Sequence, residues 1–353
     1  MSDWQVLNAD VISEKAKWLE LFARWDRSEV SAHPDYLRLF ASGTESVICL
    51  FYGDESDFAL FPLIFRPLST LAWVGERNDW CDLVSPYGYG GPFVQGSPDQ
   101  DKFWDAFEDW ARSQKVVSLF VRLGLFPDQL LPFRGEVEYK YDNVVVPLTS
   151  SLDTLWREFD HKVRKNVTRA KNENLRVITD PDGRYLNEFL DIYYGTMERR
   201  SASEGYYFPR EFFSDLVTNL SGGIRFFHVL DVDRIISTEL VLVSAEHIYS
   251  FLGGTHSDAF AKRPNDLLKY AIIEWGIENQ KKAFVLGGGY EPDDGIFRYK
   301  RSFSPKGILP FNVAKRIFDQ NRYDQLIEMH RCFESTAGHE WMPSPGYFPL
   351  YRG

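Results

Sequence analysis

Residues 85–92 read SPYGYGGP, which places three glycines and two tyrosines between two prolines. Glycine at this density weakens a strand interior, whereas the tyrosines are out of place in an ordinary flexible linker. Glycine lets a backbone cross close to another group, because no side chain stands in the way. A second such stretch, FLGGT, follows at residues 251–255, so the sequence predicts two glycine-lined crossings.

The two halves of the chain match around these glycine stretches. In each half a helix pattern follows the glycines, at residues 101–115 and 264–282, and a buried strand pattern follows the helix. Upstream, residues 47–65 and 224–243 each predict two strands joined by a turn. Three residue pairs keep offsets of 163, 165 and 163 positions, namely Gly90 and Gly253, Trp110 and Trp275, and Gly124 and Gly287. We interpret this order as an internal duplication.

Strands in a meander, followed by a helix and a further strand, predict an α/β (α+β) fold with a mixed sheet flanked by helices in each half. A helix pattern at residues 152–174 precedes the second copy, and a weaker one at residues 11–25 precedes the first. The first domain is therefore predicted at residues 1–147 and the second at 148–309. The segment 310–353 has no counterpart, and we expect it to pack back on the first domain.

The composition is that of a globular protein and restricts the partners. The 353 residues carry a formal net charge of −11, which disfavours non-specific duplex binding through many phosphate contacts. Cys49, Cys81 and Cys332 are far apart and form no C-x-x-C motif, so neither a disulfide framework nor a metal site is expected. The sequence shows no signal-peptide pattern and no apolar run of about 18 residues, so we expect a cytoplasmic protein with at most peripheral membrane contact.

Four stretches resemble the FemAB-type branch of the GNAT-like acyltransferases, which includes the peptidoglycan interpeptide-bridge aminoacyltransferases. SPYGYGGP resembles the Tyr-Gly-Tyr-Gly-Gly-Pro segment in the first domain of that family. Residues 251–276 are similar to its second-domain Gly-Gly strand and helix, and GIFRYKRSF at 295–303 is similar to its closing F-K-x-x-F element. Residues 155–177 resemble the helix that opens its second domain, with the R-x-N-x-x-R-A pattern at Arg164, Asn166, Arg169 and Ala170.

The resemblance implies two tandem GNAT-like domains and transfer of an acyl or aminoacyl group to an amine. No cofactor would be bound permanently, and the co-substrate would be acyl-CoA or aminoacyl-tRNA. Two departures from the family leave the choice of donor open. The chain has no long helical-hairpin insertion of the kind found in staphylococcal-type bridge enzymes, and it lacks the usual Gln/Arg-x-x-Gly-x-Gly/Ala pyrophosphate loop.

Basic residues at the start of the second-copy helix are candidates for binding the donor's phosphates. Lys262 and Arg263 stand before Pro264, where cations oppose the helix dipole unless an anion is bound. The first copy has SPDQDK at this place, so the donor is assigned to the second domain. A solvated Lys-Arg pair is the alternative. Arg164 and Arg169 are further phosphate candidates from the family pattern, against the alternative of a solvated helix face.

Lys300 is the first candidate for catalysis because of its place in the closing element. If FRYKRSF is a strand, alternation puts Arg298 and Lys300 on one face and Tyr299 and Arg301 on the other. A lysine held in a cleft could stabilise the oxyanion that develops during acyl transfer, or a phosphate of the leaving group. The alternative is an edge strand whose charges protect it from pairing with another chain.

Acyl transfer also needs a group that accepts the proton of the amine. The candidates are Asp79 or Asp82 before the first glycine stretch, and His256 or Asp258 after the second. No Ser-His-Asp or Cys-His pattern is discernible, which disfavours a covalent acyl-enzyme. We therefore expect direct attack of the amine on the donor in a ternary complex.

Aromatic residues near the glycines are candidates for binding the acceptor. Their flat faces and hydroxyls suit a sugar, a uracil ring or a peptide, and core packing is the alternative for each. The substrate-binding candidates are Tyr87 and Tyr89 in the first copy, and Arg200, Tyr206, Tyr249 and Phe251 in the second.

The sequence thus predicts an N-acyltransferase that acts on an amino group of a cell-envelope precursor, such as a muropeptide, an amino sugar or a lipid-linked form. If the donor is aminoacyl-tRNA, tRNA is a partner. Two alternatives remain open. One is an acetyl-CoA-dependent N-acetyltransferase of polysaccharide biosynthesis, and the other is a non-catalytic scaffold that binds carbohydrate or peptide.

Overall fold

The computed structural model describes residues 3–54 and 56–353 and divides the chain into two compact units. Each unit has its own hydrophobic core between a sheet and helices. The C-terminal segment belongs to the same unit as most of the N-terminal half. Unit 1 comprises Met1–Asp26, Ser31–Lys140 and Phe311–Gly353, and unit 2 comprises Arg27–Val30 and Tyr141–Pro310.

The first part of the chain contains β1 (Asp3–Asn8), α1 (Ile12–Arg24), α2 (Pro34–Arg38), β2 (Ser46–Gly53), β3 (Phe58–Pro67), β4 (Cys81–Val84), β5 (Phe93–Gln95), α3 (Gln100–Ser113), β6 (Val116–Arg122) and β7 (Glu136–Pro147). The second part contains α4 (Leu152–Glu158), α5 (His161–Asn172), β8 (Arg176–Asp180), α6 (Leu186–Arg199), α7 (Arg210–Asn219), β9 (Ile224–Asp231), β10 (Arg234–Val243), β11 (His247–Thr255), α8 (Pro264–Glu278), β12 (Ala283–Gly287), α9 (Gly295–Arg301), β13 (Ile308–Ile317) and α10 (Gln320–Thr336).

Both units repeat one order of elements, as the sequence predicts. In unit 1, β2, β3 and β4 form an antiparallel meander, α3 crosses over, and β6 lies parallel to β4. In unit 2, β9, β10 and β11 form the meander, α8 crosses over, and β12 lies parallel to β11. The strand orders are β1-β2-β3-β4-β6-β13, with β5 beside β3, and β7-β12-β11-β10-β9-β8. The predicted α/β fold with a mixed sheet in each half is confirmed. The turn predicted within residues 47–65 includes Glu55, which lies outside the described residues.

The crossover helix of unit 1 forms because its apolar residues fall on one face. Phe103, Phe107 and Ala111 recur at helical spacing, and all three are buried against the sheet. The side chain of Asp99 accepts a hydrogen bond from the backbone N–H of Lys102 at 3.1 Å and so caps the first turn. The buried face is the one that the periodicity predicts.

One predicted helix is interrupted. Residues 152–174 form two helices, α4 and α5, which are separated at Phe159 and Asp160. The guanidinium of Arg164 donates hydrogen bonds to the carbonyl oxygen of Arg157 at 3.1 Å and to that of Phe159. These carbonyls are among those that the end of α4 leaves without a partner within the helix, so Arg164 joins the two helices.

The closing element FRYKRSF is a helix, and the strand assumed for it is wrong. Asp294 precedes α9, and its carboxylate accepts a hydrogen bond from the backbone N–H of Phe297 at 2.7 Å. A capping aspartate of this kind starts a helix because it satisfies a free N–H of the first turn. The alternation that put Arg298 and Lys300 on one face therefore does not apply.

The first glycine stretch closes on itself within unit 1. The backbone N–H of Ser85 donates to the carbonyl oxygen of Phe120 at 3.0 Å, and that of Gly90 donates to the carbonyl oxygen of Arg122 at 2.7 Å. The chain leaves β6 after Ser85 and rejoins it at Gly90, with the exposed Tyr87 on the loop between them. A Cβ on Gly90 would lie 3.0 Å from the Cβ of Ser85, so a larger residue would crowd this return.

The second glycine stretch packs against two other elements of unit 2. A Cβ on Gly253 would lie 2.4 Å from the carbonyl oxygen of Thr238 on β10. A Cβ on Gly254 would lie 2.2 Å from Oγ1 of Thr196 on α6. Both contacts are far shorter than side chains permit, so these glycines allow β11 to approach its neighbours closely.

No helix within residues 3–54 and 56–353 is both long and apolar enough to cross a membrane. No group of His, Cys, Asp or Glu side chains in those ranges is arranged to hold a metal ion.

The C-terminal segment of unit 1 is fastened to the sheet by a buried aspartate. Asp82 on β4 accepts hydrogen bonds from Nε of Arg66 and from Nε of Arg352, both at 2.6 Å. The hydroxyl of Tyr351 donates to the same carboxylate at 2.9 Å and lies 2.7 Å from Oγ of Ser118. Asp82 and Tyr351 have no exposed surface, so the carboxylate, the arginines and the hydroxyls replace water as hydrogen-bond partners for one another.

Replacing this aspartate is expected to destabilise unit 1. The change Asp82→Asn leaves two guanidinium groups without their shared countercharge and should lower the free energy of unfolding by about 3–5 kcal/mol. Asp79→Asn is the matched control, because Asp79 is exposed and its pair with Lys115 should contribute less than about 1 kcal/mol. Urea unfolding followed by tryptophan fluorescence measures both. Equal stability of the two variants would contradict the assignment.

Candidate functional site

The parallel strands β11 and β12 of unit 2 separate part way along β11. Their pairing covers His247 with Ala283, Ile248 with Phe284 and Tyr249 with Val285. β11 then continues to Thr255, and the described residues show no further pairing between the two strands. In unit 1 the corresponding strands rejoin at the bridge of Gly90 with Leu123. The two copies therefore differ at this place, and unit 2 has a gap in its sheet.

A cluster of buried polar side chains lies beside this gap. Glu239 on β10 and Lys269 on α8 form an ion pair, and their side chains are only 5% and 8% exposed. Oγ of Ser250 on β11 donates to Oε1 of Glu239 at 2.6 Å and accepts from Nζ of Lys269 at 3.0 Å. Buried charges persist only when they are paired and hydrogen-bonded, and this cluster meets both conditions. We call these three residues the Glu-Lys-Ser cluster.

A β-bulge adjoins the Glu-Lys-Ser cluster. Leu240 pairs with Leu252, whereas the next residue of β10, Val241, pairs with Ser250. Phe251 is therefore the extra residue on β11. Bulges redirect side chains and are frequent next to functional sites. Here the bulge falls directly after Ser250, the first residue beyond the part of β11 that pairs with β12.

Lys300 lies on α9 in the same unit. Its Nζ donates a hydrogen bond to the carbonyl oxygen of Gly288 at 2.6 Å, in the turn that follows β12. Burial lowers the pKa of Lys300 from its ordinary value to about 8, and the nearby positive charge of Lys269 adds to this, whereas the negative charge of Glu239 opposes it. The charges of Lys300 and of the Glu-Lys-Ser cluster thus act on one another. A lysine with this pKa is an ammonium at neutral pH and can lose its proton slightly above it.

The basic residues predicted to bind phosphate are partly satisfied within unit 2. Lys262 pairs with Asp231 at 2.5 Å, and the hydrogen bond in this pair raises the pKa of Lys262. Arg263 is exposed at the N-terminus of α8 and adopts a left-handed backbone conformation with φ of 60°. Arg169 is exposed on α5, whereas the carbonyl contacts of Arg164 favour a structural role for that residue.

Two carboxylates proposed as proton acceptors have other partners. Asp82 lies in unit 1 with no exposed surface and is held by two arginines and a tyrosine, which argues against a catalytic role. Asp258 is exposed in unit 2 and pairs with Arg234 at 2.8 Å. The hydrogen bond from Arg234 lowers the pKa of Asp258, which makes it a weaker base.

The aromatic candidates occupy different environments. In unit 1, Tyr87 is exposed and stacks on Phe40, and Tyr89 is half-buried with its ring 5.7 Å from that of Phe311. In unit 2, Tyr249 is buried, and its hydroxyl donates to Glu29 at 2.8 Å. Tyr249 therefore belongs to the interior of unit 2 and is not positioned to form a wall for a ligand.

The remaining acceptor candidates lie near the surface of unit 2. Tyr206 is half-buried, with its ring 6.2 Å from that of Tyr290, and Arg200 is exposed at the end of α6. Phe251, the bulge residue, is half-buried with its ring 6.4 Å from that of Phe212. These side chains can contact a ligand.

Sequence reasoning missed the Glu-Lys-Ser cluster. Its members come from three elements, and no local motif joins them. One signal was nevertheless present, because Lys269 interrupts the apolar run LLKYAII, and Glu239 interrupts the strand run TELVLV. A charge at a position that periodicity assigns to the interior indicates a buried partner.

Comparison with known proteins agrees with this description of the fold. Residues 157–301 match the family model described as an acetyltransferase (GNAT) domain, and this segment contains the Glu-Lys-Ser cluster and Lys300. No curated protein matches the chain by sequence. The crystal structure of FemX superposes with a TM-score of 0.66 at 12% identity, covering 88% of this chain and 98% of that chain.

Two further solved structures share the fold. A conserved protein of unknown function from Bacteroides thetaiotaomicron VPI-5482 has a TM-score of 0.57 at 12% identity, covering 88% of this chain and 99% of its own. The C-terminal domain (DUF2156) of a protein described as a lysylphosphatidylglycerol synthetase from Agrobacterium fabrum has a TM-score of 0.55 at 14% identity, covering 92% and 97%. The resemblance drawn from four sequence stretches is therefore confirmed: the chain shares the fold of FemX, and its residues 157–301 match the GNAT acetyltransferase domain model.

Proposed function

We propose that the chain is an N-acyltransferase that moves an acyl or aminoacyl group onto an amino group of a cell-envelope precursor. The amine attacks the donor directly in a ternary complex. The observation that carries this proposal is the gap between β11 and β12, which adjoins the Glu-Lys-Ser cluster and lies within the segment matched by the GNAT family model. The reaction is assigned to unit 2, because the corresponding strands of unit 1 rejoin.

Lys300 supplies positive charge to the reaction in this proposal. Attack of an amine on an acyl donor builds negative charge on the carbonyl oxygen, and a preorganised cation in a half-buried site stabilises that charge. Lys300 is half-buried and already ordered by its hydrogen bond to Gly288. Its pKa of about 8 keeps it protonated at neutral pH.

The donor's phosphates are proposed to bind at the start of α8. Arg263 is exposed there, and the first N–H groups and the dipole of this helix favour an anion. Lys262 lies beside it but forms an ion pair with Asp231. Arg263 is therefore the main contact for the donor's phosphates. Acyl-CoA and aminoacyl-tRNA both offer phosphates to such a site.

The acceptor is proposed to come from the cell envelope, either as a small molecule or linked to a lipid. The fold is shared with FemX and with a domain described as part of a lysylphosphatidylglycerol synthetase, whose named product is an aminoacylated lipid. Tyr206 and Phe251 in unit 2 offer aromatic faces to such an acceptor. We place the reaction in the cytoplasm, with contact to a membrane limited to its surface if the acceptor is lipid-linked.

Replacing Lys300 is expected to impair turnover while the protein stays folded. Lys300→Met should lower kcat/KM by about 100- to 1,000-fold, the usual effect of removing one oxyanion donor. Arg298→Met is the control, because Arg298 lies on the same helix with its side chain 59% exposed. Circular dichroism and steady-state kinetics measure folding and turnover. Unchanged turnover in Lys300→Met would favour the scaffold alternative.

The charge of Lys300 also predicts a pH dependence. The ammonium form is lost as pH rises through the pKa of about 8, so kcat/KM should fall about tenfold per pH unit above it. Lys300→Arg stays protonated in this range and should lack the falling limb. A pH–rate profile of both forms makes the comparison. An identical falling limb in both would show that another group titrates.

Calorimetry at moderate salt tests the donor. Saturable binding of acetyl-CoA, weakened about tenfold by Lys262→Gln with Arg263→Gln, would identify a CoA donor. Binding of charged tRNA without binding of acetyl-CoA, with strong salt dependence, would identify aminoacyl-tRNA. Lys306→Gln is the control, because Lys306 is an exposed cation of the same unit that the proposal does not use. Absence of binding by both donors would contradict the proposed function.

A further inference from the structure

We infer that Glu239, acting through the hydroxyl of Ser250, accepts the proton that the attacking amine releases, and that Lys269 positions both groups. This inference rests on the proposed acyl transfer in unit 2. It assigns to the reaction a proton acceptor that lies on a strand interior, away from the carboxylates beside the glycine stretches.

Ser250 is the member of the Glu-Lys-Ser cluster that a substrate can reach. Glu239 and Lys269 are buried, with 4% and 7% of their surface exposed, whereas Ser250 is half-buried. Ser250 is also the first residue of β11 after its pairing with β12 ends at Tyr249. An amine in the gap would therefore meet the serine hydroxyl, and the carboxylate would act through it.

The hydrogen bonds fix the direction of the serine proton. Lys269 has only protons to donate, so Oγ of Ser250 accepts from it at 3.0 Å. Glu239 as a carboxylate only accepts, so the proton of Ser250 points to its Oε1 at 2.6 Å. A hydroxyl oxygen has two lone pairs, and the second one remains to accept an N–H of the attacking amine. Lys269 thus orients the hydroxyl as a proton relay.

The bulge fixes Ser250 in this position. Because Phe251 is the extra residue, Ser250 lies opposite Val241, and Gly253 lies opposite Glu239. A Cβ on Gly253 would lie 3.0 Å from the Cα of Glu239, so glycine lets β11 come close to the glutamate strand. The closeness of Ser250 and Glu239 follows from backbone geometry and does not require a flexible loop.

The proton and the bonds balance in a single transfer. The amine nitrogen forms a bond to the carbonyl carbon of the donor, and the bond from that carbon to the donor's sulfur or oxygen breaks. The proton of the amine moves to Oγ of Ser250 while the proton of Ser250 moves to Oε1 of Glu239. The leaving thiol or hydroxyl takes a proton from solvent water, and Glu239 returns its proton to solvent.

Two amines distinguish a proton acceptor from a structural residue. An alkylamine acceptor, such as glucosamine or a lysine-containing muropeptide, forms a weakly acidic ammonium on attack and needs a base. Hydroxylamine is neutral at pH 7, and the adduct that it forms loses its proton to water readily. The assay follows transfer to each amine from the donor that calorimetry selects, acetyl-CoA or aminoacyl-tRNA. Any alkylamine that the wild-type protein uses serves as the first acceptor.

Glu239→Gln and Ser250→Ala should each lower transfer to the alkylamine by about 100- to 10,000-fold. Transfer to hydroxylamine should change by less than about fivefold in both. Ser237→Ala is the matched control, because Ser237 is a buried serine of β10 that bonds to Gly254 and Thr255 and lies outside the cluster. Lys300→Met should impair both amines, since both reactions pass through an oxyanion.

Glu239→Gln leaves the charge of Lys269 buried without a partner, so it can unfold unit 2. The double variant Glu239→Gln with Lys269→Gln removes both charges, so no buried charge is left unpaired. It tests the relay if the single variant does not fold. Equal loss for both amines in folded variants would overturn the relay and leave the proposed function standing. No transfer by the wild-type protein to either amine would overturn both.

Discussion

Two opposite charges buried in unit 2 must be paired with each other, and this requirement fixes how three elements meet. Glu239 lies on β10 and Lys269 on α8, and neither side chain is more than 8% exposed. Leaving one of these charges unpaired would cost about 3–5 kcal/mol, so α8 packs on the sheet in the register that joins them. The close approach of β11 to β10 at Gly253 then brings Ser250 to the pair. The packing of the fold therefore sets the geometry of the site.

Unit 1 shows what the same repeat looks like without this pair. Counting back from Lys269 by the 165 positions that relate Trp275 to Trp110 gives Trp104. Trp104 is buried, and its ring lies 6.2 Å from that of Phe61 in a T-shaped contact. Phe61 belongs to β3, which corresponds to β10 in the order of elements. An apolar contact thus holds the helix on the sheet in unit 1, at the position where unit 2 has an ion pair. Stability alone does not require buried charges, so their presence in one copy favours a chemical role there.

The sequence predicted the repeat, because its glycines and tryptophans recur at nearly constant offsets. Such residues mark positions where packing allows few residue types. The sequence singled out Lys300 as a candidate through resemblance to a family, but it did not predict the helix that carries Lys300. The start of that helix depends on a single side chain, that of Asp294, which caps the N–H of Phe297. The Glu-Lys-Ser cluster was not predicted, since its contacts join positions 11 to 30 residues apart. The glycine stretches were predicted to let the backbone cross close to another group, and the groups that Gly90, Gly253 and Gly254 approach are Ser85, Thr238 and Thr196 of the protein itself.

Two buried carboxylates, Asp82 and Glu239, differ in what surrounds them. Asp82 accepts from two arginines and a tyrosine of unit 1. The two guanidinium groups have no lone pair with which to accept a substrate proton, and Tyr351, which supplies the hydroxyl, has no exposed surface. Glu239 has one cation and one hydroxyl, and that hydroxyl belongs to a half-buried residue at the end of a strand pairing. A buried carboxylate can take part in proton transfer only if one of its hydrogen-bond partners can itself exchange a proton with a ligand. Ser250 meets this condition, whereas the arginines around Asp82 do not.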